Sequence, residues 1–274
     1  MTKRKGPSRD SARHLKVAIR AAKKAGKILL GSLGKLKESD VSRKGKSDWV
    51  TTVDRASEEA IIRVLTRAFP DHTIKAEESF PSTAASPHQW LIDPLDGTVN
   101  YIHQFPMFSI SIALLSHGFL EVGVVYDPWR KELFTAERDR GAFLNGRRIR
   151  VSRHPTLQES LLATGFPFRA KGYLDLYLES FRRIFLETGS IRRAGSAALD
   201  LAYVACGRLD GFWEMFLSSW DVAAGALLIE EAGGKVSDFY GKGAYLDSGN
   251  IVAGNPAVHA RLVEILTPLF QGKV

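Results

Sequence analysis

In "WLIDPLDGTVNY", residues 90–101, three apolar residues run straight into two acids, Asp93 and Asp96. An apolar β-type run ending in carboxylates reads as a buried strand that delivers charge to one end of a sheet, where layered folds open their ligand clefts. On its N-terminal side, "SARHLKVAIRAAKKAGKILLGSL" and "RASEEAIIRVLTRAFP" have helical periodicity, the second closed by Pro70. "KGKSDWVTTVD" reads as a polar turn leading into a short β-branched stretch, "HTIKAEES" as a strand ending in acids and "FPSTAASPHQ" as a loop. On its C-terminal side, "FSISIALLSHG", "LEVGVVYDP" and "ELFTAERDRGAFLNGRRIRV" are β-type segments separated by His-Gly, Asp-Pro and Asn-Gly signals, a meander of hairpins.

The second half changes rhythm. "SLLATGFPF", "SIRRAG", "LDGFWEM", "KVSDFYG" and "NIVAGN" read as strands, interleaved with helices in "YLDLYLESFRRIFLETG", "SAALDLAYVACG", "WDVAAGALLIEEAGG" and "AVHARLVEIL". The expectation is an α/β protein of helices packed on sheets. Residues 1–10 form a flexible basic tail, and residues 11–274 form one domain in two halves, about 11–153 and about 154–274.

Composition narrows the function classes. With 274 residues, 45% hydrophobic and 25% charged, the chain is an ordinary globular one. Its apolar runs are broken every few residues, so no membrane association is expected, and the N-terminus lacks the apolar core of a secretion signal, so a cytoplasmic protein is expected. The single cysteine, Cys206, lies in an apolar run and reads as a packed small side chain. The net charge of +8 is local: residues 1–46 hold 15 Lys or Arg against 3 Asp or Glu, whereas the rest holds 23 against 27. No RNA or DNA motif accompanies this charge, so a solvated helix face is the preferred reading and a nucleic-acid partner is not expected.

The chemistry sits in three acidic clusters, "AEES" with Glu77 and Glu78, "DPLDGT" with Asp93 and Asp96, and "SWD" with Asp221, each where a strand ends or a helix begins. Carboxylates gathered in one cleft repel one another, so a cation belongs between them; hard oxygen donors suit Mg²⁺ or Mn²⁺. Pro94 is expected to end the strand and turn the chain, so that both aspartates and the Leu95 carbonyl face one point with room for two ions. Backbone N–H groups of Gly97 and Thr98, if a helical turn starts there, offer an anion site beside them. Cations next to a phosphate pocket point to metal-assisted hydrolysis of a phosphate ester. The bland alternatives are a common Asp-Gly turn, helix N-caps for Asp54 and Asp221, and solvated loop acids for Glu77 and Glu78, the last being the expected reading of Glu78.

Taken together, "VTTVD" (50–54), "AEES" (76–79), "WLIDPLDGTVNY", "GSAALDLAYVACGRLDGFWE" (195–214) and "WDVAAGALLIEEAGG" (220–234) resemble the inositol monophosphatase family in order and spacing, from the first helix to about Asn255. The resemblance implies a layered αβαβα sandwich of the sugar phosphatase type, a homodimer, lithium sensitivity and two or three Mg²⁺ ions per subunit, with Mn²⁺ as a substitute. It assigns Glu77, Asp93 and the Leu95 carbonyl to one ion and Asp93, Asp96 and Asp221 to a second. Asp54 and Thr98 would position and deprotonate the attacking water near the first ion, and Glu77, a ligand of that ion, counts with them among the catalytic residues. Gly97 and Thr98 would hold phosphate, and Ala197, Glu214 and Asp221 would face the substrate, a small phosphorylated polyol or sugar. One departure is Ala76, where the family commonly has glycine.

Myo-inositol monophosphate is the first expected substrate. Fructose 1,6-bisphosphate, histidinol phosphate, NADP and a 3′-phosphoadenosine nucleotide are alternatives within the same superfamily. A regulatory RNA- or protein-binding partner is the alternative of a different class, and the basic N-terminal region is its only support.

Overall fold

The computed structural model describes residues 10–45, 48–79, 86–168 and 170–273. The expected basic tail lies outside these residues up to position 9, as does the first part, 80–85, of the loop read at 80–89. In chain order the first half holds α1 (Ser11–Ser32), the hairpin β1 (Val41–Gly45) and β2 (Asp48–Thr51), α2 (Thr52–Ala68), β3 (Thr73–Ala76), β4 (His88–Asp96) and a single short turn of helix α3 (Thr98–Ile102). The meander follows as β5 (Ser109–Ser116), β6 (Phe119–Asp127), β7 (Glu132–Glu137), β8 (Gly141–Leu144) and β9 (Arg147–Arg148). The second half runs β10 (Leu161–Thr164), α4 (Leu174–Phe185), β11 (Ser190–Arg192), α5 (Ala197–Ala205), β12 (Gly211–Glu214) and α6 (Ser219–Glu231). It ends with β13 (Lys235–Ser237), α7 (Tyr245–Ser248), β14 (Ile251–Gly254) and α8 (Pro256–Phe270).

Two sheets organise these elements. Strands β3 to β9 lie side by side in sequence order, with β3 and β4 parallel and every later pair antiparallel. The second sheet has the order β11-β10-β12-β14-β13. Helices α1 and α2 cover the outer face of the first sheet, α5 and α6 fill the space between the sheets, and α4 and α8 cover the outer face of the second. That stack is the five-layered αβαβα sandwich. It explains why β4 is buried almost without interruption instead of alternating: helices lie on both of its faces. α6, packed between two sheets, is likewise apolar nearly all round, with ten of its residues buried from Ser219 to Ile229.

The layering also positions the acids. Because β3 and β4 are parallel neighbours, with Ala76 opposite Ile92, the chain leaving β3 emerges beside the end of β4, and the Glu77 N–H donates to the Ile92 carbonyl (3.2 Å). Glu77 is thereby carried to Asp93 and Asp96 from sixteen or more positions away. Asn100 ties the two halves together: its Nδ2 donates to the carbonyls of Met107 (2.7 Å) and Ala194 (2.9 Å).

Candidate active site

Pro94 does not end the strand. β4 continues through it to Asp96, and its pairing with β5 slips: Asp93 faces Ser111 and Asp96 faces Ser109, three residues on one strand against two on the other. The extra residue is a β-bulge. In a regular strand residues three apart point to opposite faces, so the bulge is what turns Asp93 and Asp96 to one cavity. The Leu95 N–H donates to Asp93 Oδ1 (2.9 Å), and the Pro94 carbonyl accepts from the Ser57 hydroxyl (2.8 Å), which pins the bulge to α2.

That cavity has a volume of about 200 Å³ and is lined by strand ends and helix starts from both halves of the chain. Among its walls are Glu77, Asp93, Leu95, Asp96, Gly97, Thr98, Ala197, Glu214 and Asp221, nine of the ten residues expected at the site. Asp54, the tenth, is buried just behind, where its Oδ1 accepts from the Thr98 hydroxyl (3.0 Å). The Thr98 hydroxyl is also 3.1 Å from the Leu95 carbonyl. Gly97 caps α3 at φ +91°, and a Cβ there would stand 2.8 Å from the Met107 carbonyl oxygen, so only glycine fits this turn.

Neither Asp54 nor Asp221 is an N-cap. The caps are Thr51 and Ser218, and both aspartates occupy the third helical position, reaching back to the cap. Asp54 Oδ2 accepts from the Thr51 N–H (2.9 Å) and hydroxyl (2.5 Å), and Asp221 Oδ2 accepts from the Ser218 N–H (2.8 Å). Each acid is therefore fixed in direction by its own helix start. Asp96 is held from across the cleft: its Oδ2 accepts from the Ser196 hydroxyl (2.5 Å) and the Ala198 N–H (2.8 Å) at the beginning of α5.

The electrostatics are those of crowded, desolvated acids. Burial pushes the Asp93 carboxyl well above the usual range, and Glu77, Asp96 and Asp221 push it further. Asp96 is pushed up to about 6 by burial, against the pull of its Ser196 and Ala198 hydrogen bonds. Asp54 is raised by burial despite its Thr51 and Thr98 partners, and Glu214 by burial and by the nearby charge of Asp200.

The whole arrangement has counterparts. The model of the inositol monophosphatase family matches residues 10–269. The chain belongs to the inositol monophosphatase family. It is 51% identical over 259 residues to the Nus factor SuhB of Pseudomonas aeruginosa, covering 93% of this chain and 96% of that protein. It is 45% identical over 251 residues to the inositol-1-monophosphatase of Mesorhizobium japonicum, covering 91% and 94%. The crystal structure of the extragenic suppressor protein suhB from Bartonella henselae superposes with a TM-score of 0.90 at 44% identity, covering 93% of this chain and 98% of that one.

Membership makes the protein a phosphatase of a metal-dependent family, generally served by Mg²⁺. The residues present fit such an ion by donor chemistry: four carboxylates and a backbone carbonyl are hard oxygen donors, and Asp93 lies buried among three like charges that a cation would relieve. Among the described residues no three His, Cys, Asp or Glu side chains close into a ready-made cage. Mg²⁺ does not require a closed cage of side chains, since it keeps waters and takes substrate oxygens alongside one or two carboxylates.

Three residues at the site, Lys44, Asp200 and Ser196, escape the sequence reading, and Arg193, one of a pair of arginines that reads as commonplace surface charge, joins them. Lys44, from the β1–β2 hairpin, pairs with Glu78 and lies 3.5 Å from Glu77. Glu78 is consequently no solvated loop acid: its side chain is enclosed, its N–H donates to Glu58 (2.8 Å), and burial pushes its carboxyl up to about 7. Asp200 stands buried in α5, raised by burial and by Asp96. Its signal was an isolated acid in an otherwise apolar helix. Ser196, which holds Asp96, is the N-cap that opens the same helix. Arg193 lines the cavity with its guanidinium over the rings of Phe166 and Phe168, 5.5 and 5.1 Å from their centroids. Its neighbour Arg192 instead faces outward against Ser190.

Proposed function

We propose that the protein hydrolyses a small phosphate monoester, myo-inositol monophosphate first among them, and that Glu77, Asp93, the Leu95 carbonyl, Asp96 and Asp221 hold its Mg²⁺ ions. The observation that supports this most is the Asp93 carboxyl, buried on a bulge and facing Glu77, Asp96 and Asp221 across one cavity. Mg²⁺, when bound, supplies the Lewis acidity that makes water a nucleophile at neutral pH and stabilises the departing oxygen. Everything else is positioning by the chain. Asp54, locked by Thr51, accepts the Thr98 hydroxyl proton, so the Thr98 oxygen is left facing the cleft to accept from the attacking water. Gly97 and Thr98 present backbone N–H groups to phosphate, and Ala197 and Glu214 approach the substrate hydroxyls from the second half of the domain. No protein nucleophile is required.

The test is Mg²⁺-dependent phosphate release from inositol 1-phosphate, with and without lithium, beside fructose 1,6-bisphosphate, histidinol phosphate, NADP and 3′-phosphoadenosine 5′-phosphate. Fastest lithium-sensitive turnover of inositol 1-phosphate supports the reading; release unaffected by EDTA, or a strong preference for another ester, overturns it.

A homodimer is part of the same reading. Leu174, Leu178 and Phe185 form an exposed apolar row on α4, away from its buried face of Tyr177, Ser180 and Ile184, and such a row calls for cover.

A second reading, a regulatory RNA- or protein-binding partner, is favoured by one finding: a relative with half its residues identical is named Nus factor SuhB. The two readings do not exclude each other, since a catalytic cavity leaves the rest of the surface free for a partner.

A further inference from the structure

The outer face of α1 carries Lys16, Arg20, Lys23 and Lys27 in a line, at intervals of four, three and four residues, with Lys24 beside it. All five are exposed, and over about 17 Å of helix axis they form a straight stripe. α1 contains no Asp or Glu. None of the five has an ion pair among the described residues, although the chain beyond residue 46 carries an excess of acids. α2, the other helix of this layer, adds three exposed arginines against one exposed acid, Glu59. Like charges at these spacings cost a helix a few tenths of a kcal/mol per pair, and nothing in the fold offsets the cost. A solvated face would mix signs; this one does not.

We propose that this stripe docks a single-stranded nucleic acid through its phosphates, without regard to base sequence. The choice of partner follows from what the stripe has and lacks. Cores of protein interfaces are depleted in lysine, whereas nucleic-acid interfaces are strongly positive. A membrane-seated helix needs large apolar side chains on the same face, and between Arg13 and Lys27 none is exposed. The row is one side chain wide and evenly spaced, which suits a single strand's repeated charges. Lysine, a flexible point charge, contacts phosphate without reading a base edge. This deepens the second reading above by naming its partner class and surface. It is independent of the catalytic cavity.

The experiment is fluorescence anisotropy of a labelled 20-nucleotide poly(U) RNA with the full chain, titrated with salt. Parallel arms use the same length of poly(dT), vesicles containing 30% phosphatidylglycerol, and polyglutamate. Five neutralised phosphates predict a slope of log K against log salt of about −3.5. The variant Lys16→Gln/Arg20→Gln/Lys23→Gln/Lys27→Gln should lose at least about tenfold in affinity at low salt and flatten the slope by about 2.8, while keeping its melting temperature and its Mg²⁺-dependent phosphate release. A chain lacking residues 1–9 should keep most of its binding. RNA binding that survives the quadruple variant, or vanishes with residues 1–9, overturns the surface but leaves the second reading standing. No binding to either strand, with uptake of vesicles or polyglutamate instead, overturns the proposal as a whole. Phosphate release reports on the catalytic reading separately in every case.

Discussion

Gly165→Ala isolates the substrate side of the cavity from the metal side. A Cβ at position 165 would stand 1.9 Å from Glu214 Oε1 and 2.1 Å from Oε2, so the carboxylate has to retreat by more than about 1 Å to reach ordinary contact. Only the far end of one flexible side chain has to move, so the fold should survive with a melting temperature within a few degrees of the parent. A retreat of that size breaks a hydrogen bond from the substrate to Glu214. Hydrogen bonds to charged groups contribute about 1.5–3 kcal/mol, which corresponds to roughly 10- to 150-fold in kcat/KM. The loss should appear in KM more than in kcat, because Glu214 touches the polyol and not the reacting phosphorus. The assay is steady-state phosphate release from inositol 1-phosphate beside an ester lacking neighbouring hydroxyls, such as 4-nitrophenyl phosphate, for which the loss should be within about threefold. Equal losses on both esters, or unchanged kinetics on inositol 1-phosphate, would refute the placement of Glu214 against the substrate.

Asp93→Asn should reduce turnover at least about a thousandfold in any Mg²⁺ concentration, while raising the melting temperature measured in EDTA, because it removes a buried charge facing three others. In EDTA the wild-type protein should lose stability as pH rises from about 4 to about 7. Asp96 has a folded-state value pushed up from 3.8 to about 6, so its favourable contribution is complete below about 4, fades as pH climbs through 6, and amounts to about 3 kcal/mol. Thermal melts across that range check the sign, and added Mg²⁺ should restore the loss at pH 8. Leu178→Glu, on the exposed row of α4, should convert a dimer to monomer in light scattering without unfolding the chain.

What the sequence displays is tied to what is local. The acids are legible because each sits in a short run whose neighbours announce a strand end or a helix start, and the αβαβα layering follows from the family those runs resemble. The bulge at Asp93–Asp96 is not legible, because it is a mismatch with β5 and belongs to the pairing, not to either strand. Pro94 invites the wrong inference: a proline closing a strand is the commoner case, but this one sits in a bulge, where the ladder is already interrupted and its missing N–H costs no pairing, so the strand continues to Asp96. The caps are legible in the sequence. Thr51-Thr52-Val53-Asp54 and Ser218-Ser219-Trp220-Asp221 both have a hydroxyl residue three before an acid, the spacing of a capping box. Lys44 and Glu78 meet only because a hairpin folds over the strand end thirty-four positions away, and no local pattern encodes that.

The central claim is that Glu77, Asp93, Asp96 and Asp221 together hold divalent cations beside the phosphate pocket. Electron paramagnetic resonance of free Mn²⁺, titrated with the protein in the presence of inorganic phosphate, counts bound ions without relying on turnover. The account predicts at least two ions per chain in the wild-type protein and a loss of tight binding in Asp93→Asn; unchanged Mn²⁺ uptake by that variant, or none by the wild type, would contradict it.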